Sequence, residues 1–321
     1  MKPYDLIGDI GGTNVRFAML QDGEVLNEQV LKCADHAGLA PAARAYINAI
    51  SPSQTPDSAA FAIAGPVLGD RFQMTNHPWS FSISDVRDKL GLKDLRLFND
   101  FHALAMAIPH LGQDNLARIG EGKSQPGKPK AIVGPGTGLG VACLFWDGEY
   151  YRPVPGEGGH VTMPAKNQRE YDVFEWLRGE KYSHVSAERV CSGKGLVNIY
   201  NALRALDKRD DLPDLEPEDI SKAAREKGNA CAVEAWEMLT GFLGTVAGNL
   251  ALTLGAHGGV YIAGGIMPQS GDLLCHTRFR EQFEAKGRFE EYLSVIPTFL
   301  ITHPFPAFAG LKAYLSGQQP A

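Results

Sequence analysis

The chain has 321 residues, enough for about two domains, and its 44% hydrophobic and 21% charged residues are typical of a soluble protein with a substantial core. A formal net charge of -6, without a run of basic residues, excludes the electrostatic signature of a protein that binds nucleic acid or an anionic membrane. Five widely spaced cysteines without a Cys-x-x-Cys pair argue against a disulfide framework or a thiolate zinc site, and they favour a reducing cytoplasm.

The first glycine-rich stretch, Gly8-Asp9-Ile10-Gly11-Gly12-Thr13-Asn14, lies between two apolar runs at residues 4–7 and 15–20. Asp22-Gly23 and more β-favouring residues follow the second run. The pattern predicts a meander of strands over residues 4–33, with the first two strands joined by a tight turn. Glycines permit close backbone approach, and successive exposed N–H groups would form a concavity suited to phosphate oxygens. A carboxylate repels phosphate unless a divalent cation lies between them, so Asp9 indicates a metal–nucleotide site, with Mg²⁺ held by few protein ligands. An ordinary hairpin turn is the alternative.

Helix and strand patterns then alternate up to residue 108. Apolar periodicity and capping residues predict helices at 38–50, 82–90 and 101–108, and short buried strands at 59–64 and 95–98. Asn99 and Asp100 follow the second of these strands, the position at which open α/β sheets carry reactive groups. An ordinary helix N-cap role is the alternative for Asp100.

The opening pattern recurs after a Gly/Pro/Lys-rich stretch at 120–130, which is the candidate linker. A strand at 131–133, the turn Gly134-Pro135-Gly136-Thr137-Gly138-Leu139-Gly140 and a strand at 141–146 suggest two related domains. The remainder is mostly helical, with predicted helices at 170–179, 195–206, 217–227, 230–254 and 307–315 and strands at 259–263 and 296–302. Glycines break the apolar stretch at 239–267, so a buried helix followed by a core strand is predicted there, not a membrane span.

Three glycine-rich turns follow predicted strands, at 8–14, at 134–140 and at Gly264-Gly265. Two of them would hold a triphosphate from opposite sides, and the third would let a base or ribose approach the backbone. Neither a P-loop nor a Gly-x-Gly-x-x-Gly in a βαβ setting occurs, which disfavours a dinucleotide oxidoreductase. Glu157 and His160 flank two glycines in a loop that presents polar groups, whereas Glu188 is typical of an exposed residue at a helix start.

These motifs occur in an order that resembles the bacterial glucokinase family, within the actin-like/hexokinase ATPase superfamily. The resemblance spans nearly the whole chain. It is carried by the turn at 8–14, Thr75-Asn76-His77-Pro78-Trp79, Asn99-Asp100-Phe101, the turn at 134–140, Pro155-Gly156-Glu157-Gly158-Gly159-His160, Val185-Ser186-Ala187-Glu188-Arg189, Ser192-Gly193, Ile262-Ala263-Gly264-Gly265-Ile266 and Lys286-Gly287-Arg288-Phe289.

The resemblance implies an α/β protein with the two-domain actin-like ATPase (ribonuclease H-like) fold and an interdomain cleft that binds ATP and glucose. The expected small α/β domain covers 1–110 plus about 304–321, and the large α+β domain covers 111–303. ATP with Mg²⁺ would phosphorylate the 6-hydroxyl of glucose, feeding glycolysis. A cytoplasmic homodimer without nucleic-acid or membrane partners is expected. No structural zinc is expected, because the Cys-rich motif of the repressor and sugar-kinase branch does not follow His160.

The residues match the family's motifs one by one. Asp100 matches the catalytic base, and the sugar-hydroxyl ligands are matched by Asn99, Asp100, Glu157, His160 and Glu188. The phosphate loops are matched by Gly8, Asp9, Ile10, Gly11, Gly12, Thr13 and Asn14 and by Gly136, Thr137 and Gly138, and the adenosine motif by Gly264 and Gly265. Carboxylate, amide and imidazole groups suit a ring of hydroxyls, which both donate and accept hydrogen bonds.

Three alternatives stay open. The same scaffold would serve a kinase for mannose, another hexose or an N-acetylhexosamine. A non-catalytic sugar-sensing regulator is disfavoured because the chain begins almost at the first glycine turn, with no stretch for a DNA-binding extension, and because the pI is near 5.9. A chaperone-like or filament-forming ATPase would leave Glu157 and His160 without a purpose.

Overall fold

A computed structural model of the protein describes residues 4–50, 55–74, 77–265 and 277–318. The strands within these ranges are β1 (Asp5–Ile10), β2 (Asn14–Gln21), β3 (Glu24–Lys32), β4 (Ser58–Ile63), β5 (Arg71–Gln73), β6 (Ser80–Ser82), β7 (Asp94–Asn99), β8 (Leu116–Ile119), β9 (Lys130–Pro135), β10 (Leu139–Trp146), β11 (Tyr151–Gly156), β12 (Val260–Ile262) and β13 (Thr298–Ile301). The helices are α1 (Leu39–Ile50), α2 (Ile83–Leu90), α3 (Asp100–Ala107), α4 (Gln168–Glu180), α5 (Gly193–Leu206), α6 (Pro217–Arg225), α7 (Ala230–Leu254), α8 (Phe279–Glu284), α9 (Glu290–Ser294) and α10 (Pro306–Leu315).

The chain divides into two compact units. Unit 1 comprises Met1–Gly112, Glu149–Pro155 and His303–Ala321, and unit 2 comprises Gln113–Gly148 and Gly156–Thr302. The strand β11 crosses the boundary between these ranges. The candidate linker at 120–130 belongs to unit 2, so the prediction that it separates two domains is wrong. It is a loop bonded to its own unit, because the N–H groups of Lys123 and Gln125 donate to the carbonyls of Val295 and His257.

Unit 1 is built on a sheet with strand order β3-β2-β1-β4-β7. The strands β1, β2 and β3 form the predicted antiparallel meander, and β4 and β7 add to β1 in parallel. In the register of the parallel strands, Ile10 lies opposite Ile63, and Ile63 lies opposite Asn99. The carboxyl ends of β1, β4 and β7 therefore meet at one edge of the sheet.

Both faces of β1 contact a hydrophobic core, because alternate residues of a strand point to opposite sides. Leu6 and Ile10 of β1 lie in the core formed with α1 and α2, whereas Ile7 lies in the core formed with α3 and α10. The helix α10 packs closely on α3, since a side chain at Gly310 would collide with the carbonyl of Ala103. The helix α10 is thus part of the support for α3.

The helix α2 begins and ends where its sequence predicts. The Ser82 hydroxyl caps it by accepting a hydrogen bond from the Asp85 N–H at 3.1 Å. At its C-terminus Gly91 has φ 72°, the left-handed conformation that glycine adopts without steric cost. The prediction from the capping residues is confirmed.

Unit 2 contains a sheet with the order β10-β9-β12-β13-β8 among its strands. The strand β12 is parallel to both β9 and β13, while β10 and β8 are antiparallel to their neighbours. The predicted helices from residue 170 to 254 are present, and α7 is buried along most of its length. Close packing of α8 on α7 depends on Gly244 and Gly248, where a side chain would meet the carbonyls of Phe279 and Phe283.

Several short elements are absent from the sequence predictions. They are β5, β6, β8, β11, α8 and α9. In the part of the chain that is described, no helix is both long enough and apolar enough to cross a bilayer. Cys275, Thr75-Asn76 and the end of the apolar stretch at 239–267 lie outside the described residues.

Candidate active site

The glycine-rich stretch at 8–14 forms the end of β1 and a hairpin turn into β2. The Gly11 N–H donates to the Asn14 carbonyl at 3.0 Å, which leaves Gly12 and Thr13 at the tip. Thr13 is exposed and Gly12 partly so. Gly8 is buried, and a side chain there would lie 2.7 Å from the Phe61 ring, so its small size serves packing within the sheet.

Asp9 has a cationic neighbour that the sequence analysis missed. An Arg16 guanidinium nitrogen donates to Asp9 Oδ2 at 3.2 Å, and the same guanidinium lies 5.3 Å from the centre of the Phe305 ring. Burial raises the pKa of the Asp9 carboxyl above its ordinary value, and Arg16 offsets part of that rise. The hairpin register would have found this pair, because a turn at Gly12 and Thr13 places residues 9 and 16 directly opposite one another.

Asn99 and Asp100 lie at the junction of β7 and α3, and the structure divides their roles. Asn99, not Asp100, is the N-cap: its Oδ1 accepts from the N–H groups of Phe101 and His102 at 2.9 and 3.2 Å, and its Nδ2 donates to the Gly65 carbonyl at 3.2 Å. Asp100 is the first residue of the helix, and its Oδ1 accepts from the Phe101 N–H at 2.9 Å. The N-cap alternative for Asp100 is therefore wrong.

The Asp9 turn and Asp100 lie at the same edge of the unit 1 sheet. They follow β1 and β7, whose ends are in register through Ile63 of β4. Since neighbouring strands are about 4.8 Å apart, the ends of β1 and β7 are separated by about 10 Å. That separation is of the order of a bound di- or triphosphate chain.

The second glycine turn, in unit 2, joins β9 to β10. The Gly136 N–H donates to the Gly138 carbonyl at 2.8 Å, and Thr137 is exposed at the tip. The first residue of α5, Gly193, donates its N–H to the Gly136 carbonyl at 2.9 Å. The N-terminus of α5, with its partial positive charge, therefore lies directly behind this turn.

Glu188 contacts the same turn, which the sequence analysis did not foresee. Its Oε2 accepts from the Leu139 N–H at 3.0 Å, and a side chain at Gly138 would collide with the Glu188 carboxylate. The Ser192 hydroxyl, which caps α5, donates to the Glu188 carbonyl at 2.8 Å. Glu188 is thus held from both sides, and the interpretation of it as an ordinary exposed residue is wrong.

A short 3-10 turn in the same unit begins directly after Glu157 and ends at His160. The His160 Nε2 lies 3.8 Å from a Glu157 carboxylate oxygen, and both side chains are well exposed. The glycines between them face β10, since side chains there would meet Val141 and the Leu139 carbonyl. The next residue, Val161, accepts a hydrogen bond from the Ala187 N–H at 2.9 Å. Unit 2 therefore brings Glu157, His160 and Glu188 together beside the start of β10.

Gly264 and Gly265 lie beside the second glycine turn. They follow β12, which is parallel to β9, and a side chain at Gly264 would collide with the Pro135 carbonyl. Gly264 has φ 89°, in the region that favours glycine. Two strand ends in unit 2 thus present adjacent glycine backbones.

The site residues contain oxygen ligands that suit Mg²⁺. The Asp9 carboxylate is mostly buried with Arg16 as its ion-pair partner, and a divalent cation would offset the cost of that burial. Within the described ranges no cluster of three or more His, Cys, Asp or Glu side chains is arranged to hold a metal ion. Mg²⁺ is commonly bound by one or two carboxylates together with substrate phosphates and water, so a single protein carboxylate such as that of Asp9 would suffice.

Comparisons of the sequence and of the structure with known proteins point to the same family. A family model described as glucokinase matches residues 6–318. A glucokinase from Paramagnetospirillum magneticum is 46% identical, over 100% of both chains. The structure of a glucokinase from an Antarctic psychrotroph is 32% identical and superposes with a TM-score of 0.87, over 99% of this chain and 100% of its own. A ROK family glucokinase from Streptomyces griseus, solved with glucose and AMPPNP, shares the fold at 20% identity and a TM-score of 0.65, over 96% of this chain and 97% of its own.

Proposed function

The chain belongs to the glucokinase family, and we propose that it transfers the γ-phosphoryl group of ATP to the 6-hydroxyl of glucose, the entry step of glycolysis. The observation that carries the mechanism is the shared sheet edge in unit 1. The Asp9 turn follows β1 and Asp100 follows β7, at strand ends that are in register through β4. A phosphate chain on the turn and an acceptor hydroxyl at Asp100 would therefore be within reach of one another.

Asp100 is the proposed catalytic base. The sugar O6 attacks the γ-phosphorus while the bond from that phosphorus to the β–γ bridging oxygen breaks, and ADP leaves. Asp100 orients the hydroxyl and accepts its proton. An ordinary carboxylate suffices for this, because proton transfer comes late in a loose phosphoryl-transfer transition state. Asn99 carries the cap of α3, so Asp100 is not needed for that structural task.

The proposed sugar ligands are Asn99, Asp100, Glu157, His160 and Glu188. Their carboxylate, amide and imidazole groups supply the acceptors and donors that a hexose requires. The exposure of Glu157 and His160 leaves both side chains accessible to a ligand. A sugar with one inverted hydroxyl would leave a polar group unpaired, at a cost of about 1–3 kcal/mol, so the site would discriminate between epimers.

The proposed nucleotide ligands are the turn at 8–14, the turn at Gly136, Thr137 and Gly138, and the adenosine motif Gly264 and Gly265. Mg²⁺ bound near Asp9 would neutralise charge on the β- and γ-phosphates. The protein's own contribution there is the backbone N–H groups of the hairpin tip and the carboxylate that Arg16 holds in place. The exposed side chains of Thr13 and Thr137 lie at the two tips.

We also propose the domain boundaries, the cellular location and the oligomeric state on the basis of the family membership. The small domain would comprise 1–110 with about 304–321, and the large domain 111–303. The protein would act in the cytoplasm as a homodimer. Light scattering coupled to size-exclusion chromatography tests the dimer directly, since a single species at monomer mass would contradict it.

Sugar-dependent ADP formation tests the proposed function. Purified protein is assayed with Mg·ATP and a panel of glucose, mannose, fructose and N-acetylglucosamine, with ADP release coupled to NADH oxidation. Rapid turnover that depends on glucose and is much slower with the other sugars is expected. Preference for another sugar would replace glucose as the substrate, and glucose binding without turnover would indicate a sugar sensor.

A further inference from the structure

Cys33 lies behind the hairpin that carries the first glycine turn. It follows β3 directly, and its side chain is 0% exposed. The Cys33 thiol donates to the Gly11 carbonyl at 3.3 Å, and the Cys33 N–H donates to the Thr13 carbonyl at 2.9 Å. Cys33 therefore forms hydrogen bonds with residues on both sides of the turn, although it follows Gly11 by 22 positions along the chain.

These bonds fix two peptide planes. In a trans peptide the C=O and the following N–H point in opposite directions, and the described residues contain no cis peptide. A Gly11 carbonyl directed at Cys33 therefore directs the Gly12 N–H away from it. In the same way, the bond from Cys33 to the Thr13 carbonyl directs the Asn14 N–H away from Cys33.

The two sides of the hairpin differ in their surroundings. The carbonyl side meets a fully buried residue, whereas Thr13 at the tip is exposed and Gly12 and Asn14 are partly exposed. Burial raises the pKa of the Cys33 thiol, which keeps the proton that it donates. Cys33 is itself fixed, because its carbonyl accepts from the His36 N–H at 3.1 Å in a short 3-10 turn.

We infer that Cys33 is a positioning residue for nucleotide binding, which holds the amide groups of Gly12 and Asn14 toward the phosphates of ATP. The inference rests on the proposed role of the turn at 8–14. Cys33 itself touches neither substrate. Its contribution is preorganisation: without the thiol, the peptide between Gly11 and Gly12 would be free to rotate, and binding would have to order it again.

The test compares Cys33→Ala, which removes the donor, with Cys33→Ser, which keeps a hydroxyl donor at the same position. Cys231→Ala is the matched control, because Cys231 is 3% exposed and lies in α7 of unit 2. Calorimetry gives the Kd of Mg·AMPPNP and of glucose separately, and steady-state assays give KM for ATP and for glucose.

Cys33→Ala is expected to raise the Kd of Mg·AMPPNP and the KM for ATP by about three- to tenfold, the size of one lost hydrogen bond. The glucose constants should stay within about twofold of wild type, and Cys33→Ser should restore most of the nucleotide affinity. Cys231→Ala should leave all of these constants unchanged.

Asp9→Ala separates the two proposals. If Asp9→Ala bound the nucleotide more weakly while Cys33→Ala bound it as tightly as wild type, the role of Cys33 would be overturned and the proposed function would stand. Unchanged nucleotide binding in both variants would overturn the phosphate role of the turn as well. Equal losses for ATP and glucose in Cys33→Ala, or no recovery in Cys33→Ser, would show a general packing defect and also overturn the inference.

Discussion

Replacement of Asp100 by asparagine separates the proposed catalytic role of this residue from its structural role. The amide keeps the size of the side chain and an oxygen that accepts the Phe101 N–H, a bond of 2.9 Å in the native protein. Asn99 still caps α3, so the helix retains its start. What is lost is the negative charge and the ability to take a proton.

The two expected effects differ widely in size. Loss of a carboxylate in the first turn of a helix costs about 0.3–1 kcal/mol of stability, which leaves nearly all of a protein with about 5–15 kcal/mol folded. Loss of general-base catalysis lowers kcat by about 10²–10⁴-fold, equivalent to about 3–5 kcal/mol in the activation free energy. A large fall in kcat with a small fall in Tm is therefore expected.

The assay measures kcat by coupled detection of glucose 6-phosphate, glucose affinity by calorimetry and Tm by calorimetric scanning. Asp85→Asn is the control, because Asp85 lies in the first turn of α2 in the same unit, 2.6 Å from the Lys89 ammonium. That variant should lose a similar amount of stability and keep its kcat. If Asp100→Asn retained near-normal kcat, the assignment of the base would be refuted.

Three further outcomes are expected. Asp9→Asn should raise the Tm of the ligand-free protein while raising the KM for ATP. Because folding raises the pKa of the Asp9 carboxyl, the ionised carboxylate lowers stability as the pH rises past the ordinary pKa of an aspartate, so the gain in Tm should grow from pH 4 to pH 7. A Tm difference that does not change with pH would contradict this prediction. Glu188→Ala should raise both KM values by about tenfold, whereas Glu188→Gln, which can still accept the Leu139 N–H, should affect mainly glucose; equal ATP effects in both variants would argue against the contact. Gly264→Ala should lower the unfolding free energy by about 1–3 kcal/mol in denaturant titrations, because a methyl group would press on the Pro135 carbonyl at an unfavourable φ, and an unchanged midpoint would refute this.

Local signals account for the parts of the fold that the sequence predicted. The meander follows from apolar runs that are separated by the turns Gly12-Thr13 and Asp22-Gly23. Gly23 has φ 79°. The helix α2 follows from Ser82 and Gly91, which act on neighbouring backbone groups. By contrast, β5 and β6 have only three residues each, too few for an alternating pattern, and their pairing with each other defines them.

The sequence identifies candidate site residues, but it does not indicate the contacts that these residues make. Asn and Asp are about equally good N-caps, so the sequence could not assign that role between Asn99 and Asp100. The Gly65 carbonyl, 34 positions away, helps to fix the Asn99 amide. The bond from Glu188 to Leu139 spans 49 positions, and nothing near Glu188 in the sequence indicates it. Such long-range contacts depend on the packed structure and have no local signal.

The discontinuity of unit 1 has a consequence for biosynthesis. Phe308 and Leu311 of α10 complete the core that also contains Ile7, Phe98 and Met106. A ribosome makes residues 303–318 only after all of unit 2. In the nascent chain, the core that supports α3 and Asp100 therefore stays incomplete after all the strands and helices of unit 2 have been synthesised. Truncations before α10 should yield a chain in which unit 2 resists proteolysis and the segment around α3 is cut, and phosphorylation would begin only after the late helix has docked.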